Sequence, residues 1–207
     1  MPKHNNFFHL DDYHSQQFLS WKLPEGWWSR QYEYAWAYSF LDDGDISADL
    51  GTGYTFRPFR HALSIASKTV YAIDVHVSED IDRFAPNMHF IQGSFVGRLP
   101  LVNDSIDKVF CISVLEDVIG LEEMGHALTE MKRIVTKEGQ IVLTFDVPYD
   151  TDKPQHALYK GVDLSKFIAT VDRVGLRSDQ PFYKEYKKDR LYNHEYNLCV
   201  YHCVLRK

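Results

Sequence analysis

Short apolar runs and helical repeats alternate along the middle of the chain. The runs predict strands at Ile46–Leu50, Thr69–Asp74, Met88–Gln92, Lys108–Val114 and Gln140–Phe145. Apolar residues at helical spacing predict helices that begin near Pro58, run from about Leu121 to Lys137, and extend from an Asp163 N-cap to Gly175. Strands that alternate with helices in this way favour a parallel sheet with helices on its faces.

The two ends of the chain follow other patterns. Residues 1–40 are rich in aromatic side chains and predict short helices and a loop, forming an extension or lid over a single compact domain at 41–207. The tail Tyr196–Leu205 alternates like a strand, and we expect it to close the sheet as an antiparallel pair with residues around Phe182–Tyr186.

Composition narrows the class of protein. At 207 residues the chain has the length of one domain, and its net charge of −6 argues against a nucleic-acid-binding face. No apolar run approaches membrane-spanning length, and the N-terminal residues lack a signal-peptide pattern. The three cysteines, an odd number, favour a reducing compartment. We therefore expect a cytoplasmic protein with no membrane partner.

The segment Asp49-Leu50-Gly51-Thr52-Gly53 carries the first chemical signal, a glycine turn directly after a strand. Glycines there let backbone N–H groups approach a ligand. The preceding acid suits a ligand with an amine and would repel a pyrophosphate. Phe56 stands where a nicotinamide fingerprint needs its third glycine, and the Gly-Lys-Ser/Thr ending of a P-loop is missing.

An ordered series of segments resembles the class I S-adenosylmethionine-dependent methyltransferases, in particular the small-molecule enzymes of the methyltransferase domain 11 type. The series joins the glycine turn, the acid that ends Val70–Asp74, the run Ser113–Val118 and the helix–turn–strand Leu128–Thr144. Thr55 replaces the family's usual third glycine. The resemblance implies a Rossmann-like, mostly parallel seven-stranded sheet with an antiparallel closing strand.

The resemblance also implies a cofactor, S-adenosylmethionine, and the residues that hold it. Gly51 and Gly53 would admit its backbone contacts and Asp49 would hold its amino end. The remaining implied contacts are Asp74 for the ribose, Ser94 and Phe95 for the adenine, and Ser113 at the end of the fourth strand. Ser94 stands where the family commonly has an aspartate.

Catalytic and substrate residues are less sharply indicated. Candidate bases, on segments expected at the pocket mouth, are Asp117, Tyr149 and His156, and candidate substrate or lid residues are Arg30, Tyr34 and Asp146. Glu116 and Asp117 could contact a ligand or could simply favour the start of a helix. Asp146-Val147-Pro148-Tyr149 has one proline fewer than the Asp/Asn-Pro-Pro-Tyr motif of amino-methylating nucleic-acid enzymes, so a substrate-facing loop is the better interpretation.

A metal site is not expected. Period-two geometry places Cys199 and Cys203 on one face of the tail strand and His202 on the other. The favoured function is methyl transfer to a small molecule. The alternatives are an S-adenosylmethionine-binding regulator or inactive relative, and a protein or nucleic-acid methyltransferase. The acceptor and the oligomeric state stay open.

Overall fold

A computed structural model describes residues 6–55, 57–118, 120–153, 155, 161–183 and 190–207. Its strands are β1 (Asn6–Phe7), β2 (Gln17–Phe18), β3 (Trp21–Lys22), β4 (Ile46–Leu50), β5 (Thr69–Asp74), β6 (Met88–Gln92), β7 (Ile106–Ile112), β8 (Val135–Pro148), β9 (Tyr192–Asn193) and β10 (Leu198–Leu205). Its α-helices are α1 (Arg30–Tyr38), α2 (Pro58–Ala66), α3 (Leu121–Ile134) and α4 (Leu164–Val174).

The predicted fold class is confirmed. Strands β4 to β8 run parallel, and β10 closes the sheet antiparallel to β8. The order in the main sheet is β1-β10-β8-β7-β4-β5-β6, with β9 also paired to β10, so the described sheet has eight strands where seven were predicted. The chain moves outward from β4 to β6 and then returns to β7 on the other side of β4. Ligands of open α/β sheets bind at such a switch point, outside the carboxyl ends of the strands.

The first three predicted strands have the predicted bounds, whereas the next two differ. Strand β7 ends at Ile112 because the backbone of Ser113 turns away with a φ of +48°. Strand β8 begins at Val135, directly after α3, and the predicted Gln140–Phe145 is only its central part. Helix α3 therefore ends before Lys137.

Helix α4 follows its predicted caps. The Asp163 side chain accepts a hydrogen bond from the Lys166 backbone N–H at 3.1 Å. Gly175 ends the helix with a φ of +73°, which a glycine adopts without steric cost.

The tail strand is confirmed, and its described pairings are with β8, β1 and β9. Strand β10 pairs with β8 over its whole length, from Leu198 opposite Pro148 to Leu205 opposite Ile141. Its other edge pairs with β1 and β9. With neighbours on both edges, nearly every residue of β10 is buried. Residues 184–186 of the predicted partner segment lie outside the described residues.

The N-terminal 40 residues differ from the predicted short helices. Only α1 is an α-helix within the described part, 6–40; β2 and β3 form a hairpin and β1 joins the main sheet. Phe7 and Phe8 occupy opposite faces: Phe7 packs on Tyr201 with ring centroids 5.0 Å apart, and Phe8 packs on Trp36 at 5.8 Å. That alternation is the period of a strand. The division into 1–40 and 41–207 stays a prediction.

Two apolar cores cover the two faces of the sheet. One contains inward side chains of α3 and α4, such as Leu128 and Phe167. The other contains side chains of α1 and α2, such as Trp36 and Leu63, together with the hairpin residue Phe18. Helix α1 therefore lies over β7 and β8 on the α2 side, which brings N-terminal side chains to the carboxyl ends of the strands.

Candidate active site

The glycine turn lies at the end of β4, against the end of β7. Gly51 and Gly53 have φ angles of +73° and +83°, in the left-handed region that disfavours residues with a Cβ. A Cβ on Gly51 would lie 2.4 Å from Cγ1 of Val114. Both backbone strain and close packing therefore require glycine at position 51.

Asp74, at the end of β5, holds the turn from the neighbouring strand. Its Oδ2 accepts the Gly53 backbone N–H at 2.8 Å, and its Oδ1 accepts the His76 N–H at 2.9 Å. An ionised carboxylate has about four lone-pair sites, so acceptor capacity remains on both oxygens. The carboxylate is thus fixed in place and still able to accept hydrogen bonds from a ligand.

Asp49 lies beneath the turn and is only 5% exposed. It accepts a hydrogen bond from the Thr52 hydroxyl at 2.7 Å. Burial raises the pKa of Asp49 to about 6, although the Thr52 hydrogen bond and the nearby Arg60 guanidinium oppose the rise. A ligand amine near this carboxyl would stabilise its charged form.

Arg60, which the sequence analysis did not single out, clamps the turn from helix α2. Its buried guanidinium donates to the carbonyl oxygens of Thr52, Gly53 and Thr55 at 3.0, 2.7 and 3.0 Å. It also forms an ion pair with Asp80. Arg60 lies within the amphipathic helix α2, and the spacing of apolar residues in that helix does not indicate that Arg60 binds the turn.

A cavity of about 910 Å³ opens in front of the turn, at the carboxyl ends of β4 to β7; we call it the cofactor cavity. Ten of the predicted site residues line it: Arg30, Tyr34, Asp49, Gly51, Gly53, Asp74, Ser94, Phe95, Ser113 and Asp117. Thr52 and His76 also line it and were not predicted. The elements that the sequence separates by more than 80 residues are thus brought to one edge of the sheet.

The two residues predicted near an adenine differ in environment. Phe95 is 7% exposed and belongs to the core on the α3 side. The Ser94 hydroxyl accepts the Val96 N–H at 3.3 Å and lies beside Phe95 in the cavity wall. The structure therefore offers one apolar and one polar group at the end of β6.

Ser113 is joined to helix α1 through Glu33, a buried acid that the sequence analysis missed. One carboxylate oxygen of Glu33 accepts the hydroxyls of Ser113 and Thr144 at 2.6 and 2.5 Å, and the other accepts Nη1 of Arg30 at 2.6 Å. Burial alone would raise the pKa of Glu33, but the Arg30 charge and these hydrogen bonds hold it below its usual value. Glu33 thus carries a compensated charge.

Tyr34 closes the same wall one residue later. Its ring stacks on Phe59 with centroids 5.1 Å apart, and the residue is 4% exposed. Burial raises the pKa of Tyr34 to about 12, so the hydroxyl is neutral at physiological pH. It can donate or accept a hydrogen bond but does not supply a ready base.

A second cavity of about 350 Å³, which we call the indole pocket, adjoins the first. The two cavities share Arg30, Arg57, Ser113 and Asp117. The indole pocket adds to these Gly26, Trp27, Trp28, Ser29, Glu116, Asp146, Tyr196 and Leu198. Asp146, predicted as a substrate residue, is therefore placed in the indole pocket and not in the cofactor cavity.

Of the other two candidate bases, only Tyr149 is described, and it lines neither cavity. The Tyr149 ring stacks on Tyr192 with centroids 4.5 Å apart, and neither cavity wall includes it. His156 lies outside the described residues. Asp117 lines both cavities, and burial raises its pKa above the usual value.

The pocket acids have strongly shifted pKa values. Burial, reinforced by the Glu33 charge, raises the pKa of Asp146 to about 7. Burial and the Asp146 charge raise the pKa of Glu116 well above its usual value. Oδ1 of Asp146 and Oε2 of Glu116 are buried atoms with no hydrogen-bond partner among the described residues.

The side chains of the tail strand lie on the predicted faces of the sheet. Cys199 and Cys203 are buried in the core on the α3 side. His202 packs between Phe8 and Trp36 on the other face, with ring centroids 4.5 and 4.6 Å away. A search of the described residues found no cluster of three potential metal ligands. It likewise found no helix with the length and apolar character of a membrane span.

Comparison with known proteins identifies the domain. Residues 48–143 match the family model described as a methyltransferase domain. No curated protein sequence matches the chain closely enough to serve as a relative.

Solved structures share the fold at low sequence identity. The (4+2)-cyclase SpnF is 13% identical with a TM-score of 0.69, over 100% of this chain and 87% of the other. The Burkholderia thailandensis 1,6-didemethyltoxoflavin N1-methyltransferase, bound to its acceptor and S-adenosylhomocysteine, is 15% identical with a TM-score of 0.61, over 84% of this chain and 76% of the other. A TehB-like methyltransferase from Corynebacterium glutamicum is 15% identical with a TM-score of 0.58, over 84% and 86%.

Proposed function

Residues 48–143 match the methyltransferase-domain family, and on that premise we propose that the chain is a class I S-adenosylmethionine-dependent methyltransferase that transfers a methyl group to a small cytoplasmic molecule. The observation that carries the proposal is the cofactor cavity itself. It joins a glycine turn that has no room for side chains, a fixed carboxylate at the end of β5 and a buried acid beneath the turn.

These residues fit S-adenosylmethionine. Gly51 and Gly53 leave the turn bare for close backbone approach, and Asp74 keeps lone pairs for a ribose diol. Asp49 would take the amino end, whose positive charge offsets the cost of ionising a buried carboxyl. When bound, the cofactor supplies a methyl group on a positively charged sulfur.

The side chains that line the cofactor cavity would act mainly by positioning the reactants. Ser113, which lines both cavities, is held by Glu33, and Tyr34, which lines the cofactor cavity, is held by Phe59, so both side chains are preorganised. Orientation of two reactants is worth roughly 7–11 kcal/mol of the barrier in favourable cases. Asp117, in the walls of both cavities, could accept a proton from an acceptor that must lose one.

A small acceptor is favoured over a macromolecule. The net charge of −6 opposes binding to a nucleic acid. The space beside the cofactor cavity is about 350 Å³, within the range of small-molecule sites. The Burkholderia thailandensis protein, which shares the fold, was solved with a small heterocyclic acceptor.

One observation keeps a second function in view. SpnF, with the same fold over the whole of this chain, is a (4+2)-cyclase. A protein of this fold can therefore catalyse a reaction other than methyl transfer, and this chain could bind S-adenosylmethionine without transferring its methyl group.

Calorimetric titration with S-adenosylmethionine tests the proposal. We expect the wild-type protein to bind, and Asp74→Asn to bind about 10-fold to 100-fold more weakly, since a hydrogen bond to a charged group is worth about 1.5–3 kcal/mol. Asp82→Asn removes an exposed acid outside the cavity and should bind like the wild type.

The outcomes separate the claims. Absence of wild-type binding would refute the proposed function. Undiminished binding by Asp74→Asn would refute only the ribose assignment. Binding without formation of S-adenosylhomocysteine across an acceptor panel would favour the non-transferring alternative.

A further inference from the structure

The indole pocket contains two acids, Glu116 and Asp146, that form no ion pair with any cation among the described residues. Arg30 is committed to Glu33 at 2.6 Å. Arg57 donates to the Thr55 hydroxyl at 2.6 Å, and its guanidinium lies 4.8 Å from the Trp27 ring. Neither arginine forms an ion pair with Glu116 or Asp146 among the described residues, and the Arg30 charge only partly opposes the rise in their pKa values.

Such an arrangement is costly without a ligand. A buried polar group without a partner destabilises the protein by about 1–3 kcal/mol, and a buried unpaired charge costs more. The carboxyls reduce that cost by holding protons. A ligand cation with N–H donors would satisfy Oδ1 of Asp146 and Oε2 of Glu116 and would restore their charges.

The aromatic part of the lining favours a flat, positively charged molecule. Trp27 and Trp28 present half-buried indoles to the cavity. Indole faces attract cations within about 6 Å and also stack on planar groups. The pocket therefore combines an aromatic surface with two proton-accepting carboxyls in a volume of about 350 Å³.

We propose that the indole pocket is the acceptor subsite, and that its ligand is a small planar molecule carrying a basic nitrogen, held between Glu116 and Asp146 and against Trp27 and Trp28. The inference rests on the proposed function because the pocket meets the cofactor cavity at Ser113 and Asp117. It adds the chemical class of the acceptor and the residues that select it.

The proposal also defines a pH dependence. Burial raises the pKa of Asp146 to about 7, so a cation that needs the ionised carboxylate binds more tightly as the pH rises through that value. The charged and titratable groups that face Asp146 come from α1, from the turn after β7 and from β10. They are Arg30 and Glu33, then Glu116 and Asp117, and finally Cys199.

Calorimetry on protein saturated with S-adenosylhomocysteine tests this inference with three probes. Tryptamine carries a cationic side-chain amine. In 3-propylindole a methyl group replaces that amine on the same ring, and indole-3-propionate carries a negative carboxylate in its place. We expect tryptamine to bind best and its affinity to rise about tenfold between about pH 6 and pH 8, where its amine stays protonated.

Two neutralising variants test the acids. Glu116→Gln and Asp146→Asn should each weaken tryptamine binding by about 10-fold to 100-fold, and Asp146→Asn should abolish its pH dependence. Glu122→Gln and Asp172→Asn make the same chemical changes at exposed positions outside the pocket and should bind like the wild type. If one pocket variant fails to fold, the other carries the test.

Failure of each claim gives a different result. No binding of S-adenosylhomocysteine would remove the proposed function and this inference together. With S-adenosylhomocysteine bound, the inference alone is overturned by the absence of tryptamine binding, by equal binding of the three probes, or by pocket variants that match their exposed controls.

Discussion

The glycine turn and the indole pocket lie on either side of Ser113, and they differ in how their polar groups are partnered. In the turn, Arg60 binds three carbonyl oxygens and Asp74 binds two N–H groups. In the pocket, Glu116 and Asp146 each retain a buried oxygen without a described partner. The hydrogen bonds of the turn hold it in one conformation, whereas the pocket acids lack partners that a cationic ligand could supply.

The contrast matches two kinds of ligand recognition. A turn whose hydrogen bonds are already satisfied needs no rearrangement when a cofactor arrives, which lowers the cost of binding. Acids without partners lower the stability of the ligand-free protein and reward a ligand that pairs with them. Substitution of Arg60 or Gly51, which fix the shape of the turn, should therefore destabilise the protein, whereas neutralising substitutions of the pocket acids should stabilise it.

The largest effect is expected from Arg60→Met. Removing the guanidinium leaves the buried Asp80 with only Ser78 and His61 as described side-chain partners and frees three turn carbonyls, and breaking a buried pair costs about 3–5 kcal/mol. Urea unfolding measures the loss. The double variant Arg60→Met/Asp80→Asn should recover part of it. A loss below about 1 kcal/mol, typical of a surface pair, would contradict the clamp.

The next effect is expected from Gly51→Ala. A positive φ costs a residue with a Cβ about 1–2 kcal/mol, and the overlap with Val114 adds about 1–3 kcal/mol. Gly44→Ala is the matched control because Gly44 has a φ of +85° and no atom within 4 Å of the added Cβ. Equal losses of unfolding free energy in the two variants would show that Val114 does not constrain the turn.

The smallest effect is a pH dependence that compares one acid from each region. Between the ordinary pKa of 3.8 and the folded values of about 6 for Asp49 and about 7 for Asp146, the unfolded chain releases a proton that the folded chain keeps. Stability therefore falls as the pH rises through these windows. Each contribution is lost in full only above the folded pKa.

Replacing either acid with asparagine should make the stability of the ligand-free protein fall less steeply as the pH rises. We expect Asp146→Asn to raise the unfolding free energy at pH 8 on the order of 2 kcal/mol relative to the wild type, and Asp49→Asn to act at lower pH and by less. Chemical unfolding from pH 4 to pH 8 measures both. A steeper decline in either variant would contradict the direction of that shift.

Local pattern was sufficient for much of the fold. The runs at Ile46–Leu50, Thr69–Asp74 and Met88–Gln92 are strands with the expected bounds, and Asp163 and Gly175 cap α4. Each depends on neighbours within a few residues, which is the range over which periodicity and capping act. The predicted end of α3 was wrong because Val135 begins the long strand β8. That strand depends on pairing with distant strands, which is a tertiary effect.

The candidate site divides in the same way. The glycines, Asp49 and Asp74 were predictable because they end strands whose carboxyl ends share one edge of a parallel sheet. Glu33 was not, since its partners Ser113 and Thr144 are 80 and 111 residues away along the chain. Arg60 escaped notice because its role depends on carbonyl oxygens that carry no sequence signal.

By itself the sequence determined the strand–helix alternation, the glycine turn and its acid, and the family resemblance. The tertiary structure alone decided that Asp146 belongs with Glu116 beside two indoles, and that Tyr149 stacks elsewhere. The physical reason is range. Secondary structure follows from contacts a few residues apart, whereas burial and the charge state it imposes arise only when distant segments exclude water together.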